Sequence, residues 1–291
     1  YNVAVGYGAL ASEDAHGKNV AVGTFALQDL NGGVDADNVA IGYVAAAEMT
    51  TGAENVIIGS WAGDALLEGS YNVAVGYKAL SGEDDDGKNV AIGHQALEIQ
   101  NAGADAYNVA IGQNAGKLVS TGVRNILIGA TCGDALTTGT GNIAMGYAAL
   151  GGTTDQSYNI AIGDSAMVTN VNGARNVAVG HDALGTMNPA SDTDTYNVAI
   201  GYSAGTAMST GIQNTITGGT AGDALTTGSR NVAMGYLALS GEDTGSRSVA
   251  IGAEALLVAN NDANNYNTAI GDSAGEAVSS GVRNTIVGGL A

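Results

Sequence analysis

One five-residue phrase, Asn-Val-Ala-Val/Ile-Gly with close variants, returns along the entire chain, and its spacing limits what the chain can fold into. It starts at Asn2, Asn19, Asn38, Asn55, Asn72, Asn89, Asn108, Asn125, Asn142, Asn159, Asn176, Asn197, Asn214, Asn231, Ser248, Asn267 and Asn284, which makes 17 copies. The usual step is that from Asn2 to Asn19; the longer ones add an even number, as from Asn19 to Asn38 or from Asn176 to Asn197. A helical repeat needs roughly 33 residues or more. Val and Ile bounded by Gly and Asn are strand material. A unit as short as Asn2 to Lys18 therefore suits one coil of a parallel β-solenoid, with two short strands per coil. Stacked at about 4.8 Å, the coils would form a rod of roughly 80 Å. Even-numbered insertions keep the in/out alternation of a strand or enlarge a loop. The expected architecture is all-β, one continuous solenoid over residues 1–291.

Composition agrees. Gly accounts for 46 of 291 residues, and large aromatics beyond 12 Tyr are limited to Trp61 and Phe25. An ordinary domain fills its centre with large side chains; here the core must be thin, built of Ala, Val and Ile. Collagen is excluded because its Gly period and high Pro are missing, and recurrent apolar runs argue against disorder.

A longer period lies above the first. The middle residue of the phrase is Ala except at Ile57, Leu127, Ile216 and Ile286. Those four units close modules spanning 1–71, 72–141, 142–230 and 231–291. The first three share Gly-Asp-Ala-Leu, beginning at Gly63, Gly133 and Gly222. The last stops where that motif should begin, so the fourth module is expected to be truncated and the chain a fragment of a longer one. The residue three after each phrase Gly is Ala, except Cys132. Cys is a small hydrophobe, so Cys132 reads as a substituted core alanine. One cysteine excludes an internal disulfide framework.

Within a phrase such as Asn2 to Gly6, Val3 and Val5 point one way and Ala4 the other. One apolar face can fill the coil. The other would form an exposed stripe larger than monomers usually carry. Packing against identical chains would cover it, with Ala allowing close approach and the periodic Ile and Leu forming thicker layers. The Asn column (Asn2, Asn19, Asn38, Asn55, Asn72, Asn89, Asn108, Asn125 and onward) reads as structural. Asn tolerates left-handed backbone and bonds its own turn, and stacked amides can bond from coil to coil.

Nine basic against 28 acidic residues give a net charge of −19. Such a chain repels phosphate backbones and anionic membranes, so nucleic-acid binding is excluded. No run of about 18 apolar residues supplies a membrane-spanning helix.

Candidate chemistry is sparse. His16, His94 and His181 lack metal-ligand spacing, and no Gly-x-Ser-x-Gly elbow is present. Glu83, Asp84, Asp85 and Asp86 form the densest acidic loop, echoed by Glu13-Asp14 and Glu242-Asp243. Carboxylate clusters can hold calcium, but the Asp-x-Asp-x-Asp-Gly loop is missing, so a solvated acidic edge is the stronger expectation and these four are weak metal candidates. Six tyrosines precede the phrase; the other six, Tyr7, Tyr43, Tyr77, Tyr147, Tyr202 and Tyr236, follow its Gly. Seven of nine basic residues also precede the phrase. A Tyr/Arg ladder could pair across chains or make cation–π contacts, and exposed tyrosines could stack on sugars.

The repeat resembles the YadA-like head repeats of trimeric autotransporter adhesins and the related repeats of bacteriophage tail fibres, phrase by phrase over the whole chain. The resemblance implies a left-handed parallel β-roll, three chains forming one homotrimer, and a stiff extracellular segment on a cell or virion that attaches to a host surface, matrix or glycan. The expected function is a structural fibre or adhesin segment without catalysis or cofactor. A tail-fibre shaft or receptor-binding region is the first alternative, and a single-chain calcium- or glycan-binding solenoid the second. A polysaccharide-cleaving tailspike would need long inserted loops around paired carboxylates, and even the longest step here, from Asn176 to Asn197, leaves little material for one. An ice-binding face would need aligned threonines, which are scattered among turns.

Overall fold

The computed structural model describes residues 1–13, 17–33, 35–85, 87–261 and 264–291. Among them there is no helix. The chain divides into two compact units, Tyr1–Asn142 and Ile143–Ala291, each a parallel β-solenoid. In the first, eight three-residue strands from Val3–Val5 to Ile126–Ile128 stack in parallel. In the second, nine run from Ile143–Met145 to Thr285–Val287. Each strand is the centre of one phrase, and like pairs with like: Val20 with Val39, Ala21 with Ala40, Val22 with Ile41.

Each coil has one regular strand, not the two expected. Counting the ladder Asn as position 0, the return half is a turn with left-handed residues at positions 6 and 8. Examples are Phe25 (φ 61°) and Leu27 (φ 49°), or Gln95 (φ 55°) and Leu97 (φ 49°). A left-handed residue costs roughly 1–2 kcal/mol. The alternation turns successive amides toward opposite neighbours. The Phe25 amide donates back to the Tyr7 carbonyl (2.9 Å), while the Leu27 amide donates forward to Ala45 (3.1 Å). Coil-to-coil hydrogen bonding thus continues where the strand has ended, and this offsets the backbone cost. Among the described residues, only Gly173–Ala174 with Thr193–Asp194, and the bridge from Ser246 to Asn264, form a second pairing.

Alternation is resolved in one direction. Ala21, Ala40, Ala91, Ala110, Ala178 and Ala199 point inward and are fully buried. Their Val and Ile neighbours point outward and are half-exposed. Alanine therefore lines the coil interior and not an approach surface for another chain, because the narrow coil has room for a methyl group opposite the Leu at position 8. Leu27, Leu80, Leu97, Leu184 and Leu256 fill that place, fully buried. Position 7 is the near-constant Ala, and Cys132 occupies it with no exposure, as a core alanine would.

The four large residues follow from volume. Where position 2 grows, as at Ile57, Leu127 and Ile216, position 8 shrinks to Gly in its own coil and to a small residue in the coil before. A Cβ on Gly133 would stand 2.9 Å from Leu127 Cδ2, and one on Gly116 2.6 Å from Leu127 Cδ1. Ile216 stands likewise against Gly222 and Gly205, at 3.3 and 3.0 Å. The module motif is an exchange of Ala plus Leu for Leu plus Gly. The phrase Gly has a different reason. At Gly42 (φ 145°) or Gly93 (φ 140°) a Cβ would collide with the carbonyl oxygen of the next phrase Gly.

Longer coils expose part of their extra length, as at Gly33 and Gly103, but stay tied to the stack. Their extra residues tuck a small or polar side chain under the sheet two places before the next Asn: Ala36, Ala106, Thr195 and Asn265 are buried. The amides there donate to Gly17 (3.3 Å), Gly87 (3.2 Å), Ala174 (3.0 Å) and Ser246 (2.9 Å).

Leu127→Ala should destabilise the protein by about 2–5 kcal/mol through the cavity it leaves. Gly133→Leu alone should also destabilise, by overpacking. Combined, they rebuild the ordinary Ala/Leu coil, and thermal melts should show the pair far milder than the sum of the singles.

Candidate functional site

The Asn column is the most regular polar feature. Each Asn Oδ1 accepts the backbone amide of the Asn one coil on: Asn19 to Asn2 (3.0 Å), Asn38 to Asn19 (3.0 Å), Asn55 to Asn38 (2.9 Å), Asn72 to Asn55 (2.8 Å). The first unit continues with Asn89 to Asn72 (2.9 Å), Asn108 to Asn89 (3.0 Å) and Asn125 to Asn108 (2.8 Å). The second unit repeats this, as in Asn214 to Asn197 (2.9 Å). Nδ2 closes the coil it starts, donating to a Gly carbonyl 14 residues on: Asn38 to Gly52 (2.7 Å), Asn55 to Gly69 (2.9 Å), Asn125 to Gly139 (2.9 Å). The column is structural, and from Asn19 to Asn125 it is buried. Its mechanism differs from the expectation in one respect. The left-handed residue is the one before each Asn, such as Lys18 (φ 68°) or Tyr107 (φ 53°). Asn itself, just before the strand, is not left-handed, and its carbonyl accepts from the preceding coil, as Asn19 does from Val3 (2.8 Å).

The acidic loop is split by the fold. Glu83 lies at position 11, an inward place held elsewhere by Leu30, Met49 and Leu66, and it is fully buried. Its Oε2 accepts from Asn89 Nδ2 (3.1 Å). Asp84 and Asp85 lie on the outside, where Asp84 Oδ1 accepts the Asp85 amide (2.7 Å). Glu83 therefore cannot share an ion with its neighbours or belong to a solvated edge. Asp86, Asp14 and His16 lie outside the described residues. Glu242 occupies the same inward place and shows the purpose. Its Oε1 accepts from the Gly245 amide (2.8 Å) and the Asn261 amide (3.3 Å), and its Oε2 from Asn265 Nδ2 (2.5 Å). It pins the long coil that follows. Burial pushes its carboxyl above the usual range against those donors. Nothing in the sequence marked these glutamates as interior except their register with Leu30 and Leu66. Among the described residues, no group of three or more side chains is arranged to hold a metal ion.

Outside, the columns run differently. The residue before the Asn carries the basic and half of the tyrosine side chains. Lys18 pairs with Asp35 (2.9 Å), Lys88 with Asp105, and Arg175 with Asp194 (2.8 Å). All three acids come from the longer coils. Arg175 also lies over Tyr158 and Tyr196, at 5.2 and 6.0 Å from the ring centroids, and Arg247 over Tyr266 at 5.4 Å. Much of the Tyr/Arg ladder thus finds partners within the chain. Next come two aliphatic columns, in which Ile41, Ile92, Ile111, Ile200 and Ile270 remain 36–41 % exposed. Beyond them stand Tyr7, Tyr43, Tyr77, Tyr147, Tyr202 and Tyr236, all exposed.

Burial raises Asp64 to about 6, aided by Glu48 and opposed by its own backbone amide and Lys78. Asp134 is raised by burial too, and Cys132 is pushed up to about 12. A carboxyl that holds its proton more tightly in the folded state favours folding at low pH. Stability should therefore fall as pH rises from about 4 to about 6, then level. Asp64→Asn should flatten that slope in melts across the window. The ladder offers a matched pair of tests. Asn55→Ala removes an acceptor and a donor that buried groups need, and should cost about 2–4 kcal/mol. Ser248 is the one non-Asn rung, with its buried Oγ lacking a hydrogen-bond partner among the described residues. Ser248→Asn should raise the melting temperature.

No protein-family model matches the chain, and neither a curated protein nor a solved structure matches it.

Proposed function

We propose that the chain is a structural segment of an extracellular fibre or adhesin that assembles as a homotrimer and acts by attachment, without catalysis. One observation carries this reading. The inside of each coil is filled by its own side chains, chiefly Ala and Leu, so most strands turn Val or Ile outward, where among the described residues they meet the same column of neighbouring coils and stay partly exposed. Such residues form two columns along each unit, and removing them from water yields about 25 cal/mol per Å². A second and third copy present the same columns, and cyclic assembly of identical faces is the usual form of soluble oligomers. The resemblance to adhesin head repeats, and to tail-fibre repeats where the fibre belongs to a virion, supports the same role. Attachment would then work through many weak contacts along a repeating surface, with avidity gained from effective concentration.

Sedimentation should give about three times the chain mass. Ile92→Glu with Ile111→Glu, on adjacent coils of the outward face, should yield smaller species that still melt cooperatively. A wild-type chain that stays a stable monomer at high concentration would overturn the reading.

A further inference from the structure

We infer that the first unit carries a binding platform for a neutral glycan chain along its outer aromatic column; this rests on the attachment role and names its ligand class. Positions 5 and 6 supply one ring from each of six consecutive coils: Tyr7, Phe25, Tyr43, Trp61, Tyr77 and His94. The rings meet in pairs. Tyr7 and Phe25 are edge-to-face at 5.4 Å, Tyr43 and Trp61 edge-to-face at 5.6 Å, and Tyr77 and His94 stacked at 5.3 Å. Each contact braces its rings before any ligand arrives, which lowers the ordering cost of binding. The rings nonetheless face solvent: Tyr43 is 47 %, Trp61 37 % and Tyr77 45 % exposed.

Spacing selects the ligand. Pairs recur every two coils, a rise of about 10 Å, close to the length that one disaccharide covers in an extended β-1,4-linked glycan. The C–H face of a pyranose ring is apolar and weakly positive, and it complements the negative face of an aromatic ring. Hydroxyl groups at the sugar edge need fixed donors and acceptors, and one end of the column has them. Gln95 Nε2 donates to Glu98 Oε2 (2.8 Å), Lys117 Nζ reaches Gln95 Oε1 (3.4 Å), and Lys78 and Lys117 both lie 3.5 Å from Glu98. Lys78 and Lys117 are the only two basic residues outside the column that precedes the phrase. Asp64 and Asp134 lie near enough to feel Lys78 and Lys117 respectively. The carboxylates thus outnumber the ammoniums, and the chain as a whole carries −19. Neutral sugars are favoured over uronic acids or sulfated chains.

The second unit is a built-in contrast. Position 5 there reads Tyr147, Asp164, His181, Tyr202, Gly219, Tyr236, Ala253, Asp272 and Gly289, and position 6 carries no ring. Only His181 and Tyr202 stack, at 5.3 Å, and His181 faces Asp182 at 3.3 Å. No row of paired rings forms there.

The test is calorimetry on the assembled protein with β-1,4-linked glucose and N-acetylglucosamine oligomers, two and six sugars long, with hyaluronate oligomers as the charged comparison. The hexamers should bind at least tenfold more tightly than the dimers, and the hyaluronate oligomers more weakly than either hexamer. Tyr43→Ala with Tyr77→Ala should abolish binding, while Tyr77→Phe retains it and Tyr202→Ala leaves it unchanged. No binding to either neutral hexamer, equal binding of dimer and hexamer, preference for hyaluronate, or binding that survives the double variant would overturn the inference. Loss of assembly mass in the double variant would also overturn it, assigning the rings to packing between copies. If sedimentation of the wild type still gives a trimer while no hexamer binds, the fibre reading stands and this platform falls.

Discussion

The stacked Asn amide is the interaction on which the rest of the structure depends. A coil such as the one that Asn38 opens has only three residues in regular strand, Val39–Ile41, too few to fix its register by backbone pairing alone. The Asn adds two constraints at one point. Its Oδ1 ties the coil to the next one, and its Nδ2 ties the start of the coil to its own end, as Asn38 does with Asn55 and Gly52. The bonds are buried, where an unmet donor or acceptor costs about 1–3 kcal/mol. A one-residue slip would break all of them together and would also turn Ala outward and Val inward. The longer coils show the same logic under strain. There the closing Gly carbonyl is displaced by the insertion, and the amide turns backward, as Asn89 does to Glu83 and Asn176 to Ala174. A buried carboxylate at position 11 is thus part of the machinery that admits two extra residues.

With register fixed, volume governs the interior. Every inward place is coupled to the same place one coil away, so a change cannot be absorbed by lateral movement of a long side chain. This is why Leu127 appears together with Gly133 and Gly116, and Ile216 with Gly222 and Gly205. The exchange keeps packing close to native density while altering its distribution across the coil. It also explains how a chain with so few aromatic side chains holds a core: the core is narrow, so methyl groups and one or two aliphatic side chains per coil suffice.

Much of this was legible in the residues. The period, the coil, the in/out alternation and the place of Cys132 all follow from spacing. What spacing could not reveal was conformation of the turn. Phe25, Leu27, Gln95 and Leu97 are not residues that favour left-handed backbone, and local preference would place a second strand there. The hydrogen bonds to both neighbouring coils override that preference, and such bonds exist only once coils are stacked. The direction of the alternation was equally hidden, because Ala and Val are both apolar. Glu83 was misplaced for a related reason. Beside Asp84 and Asp85 it looks like part of a charged surface, whereas its register with Leu30 and Met49 puts it inside. Position in the repeat outweighs chemical type when every coil copies its neighbour.

The inward choice of Ala has a consequence for the outer surface. A methyl group inside keeps the coil narrow, and a narrow coil presents a large outer area relative to its core. The strand must then carry its larger β-branched residues outward, because β-branching favours extended backbone and the interior has no room for it. The stability of the strand and the exposure of an apolar face are therefore one property. Charge cannot be placed on that face without weakening the strand, so it is displaced to the borders, where Lys18, Lys88 and Arg175 meet Asp35, Asp105 and Asp194. The result is an aliphatic band bounded on one side by satisfied ion pairs and on the other by aromatic rings. The band suits a flat apolar partner such as another copy. The rings beyond the phrase Gly, no longer held by the strand pairing, are the groups free to meet something else.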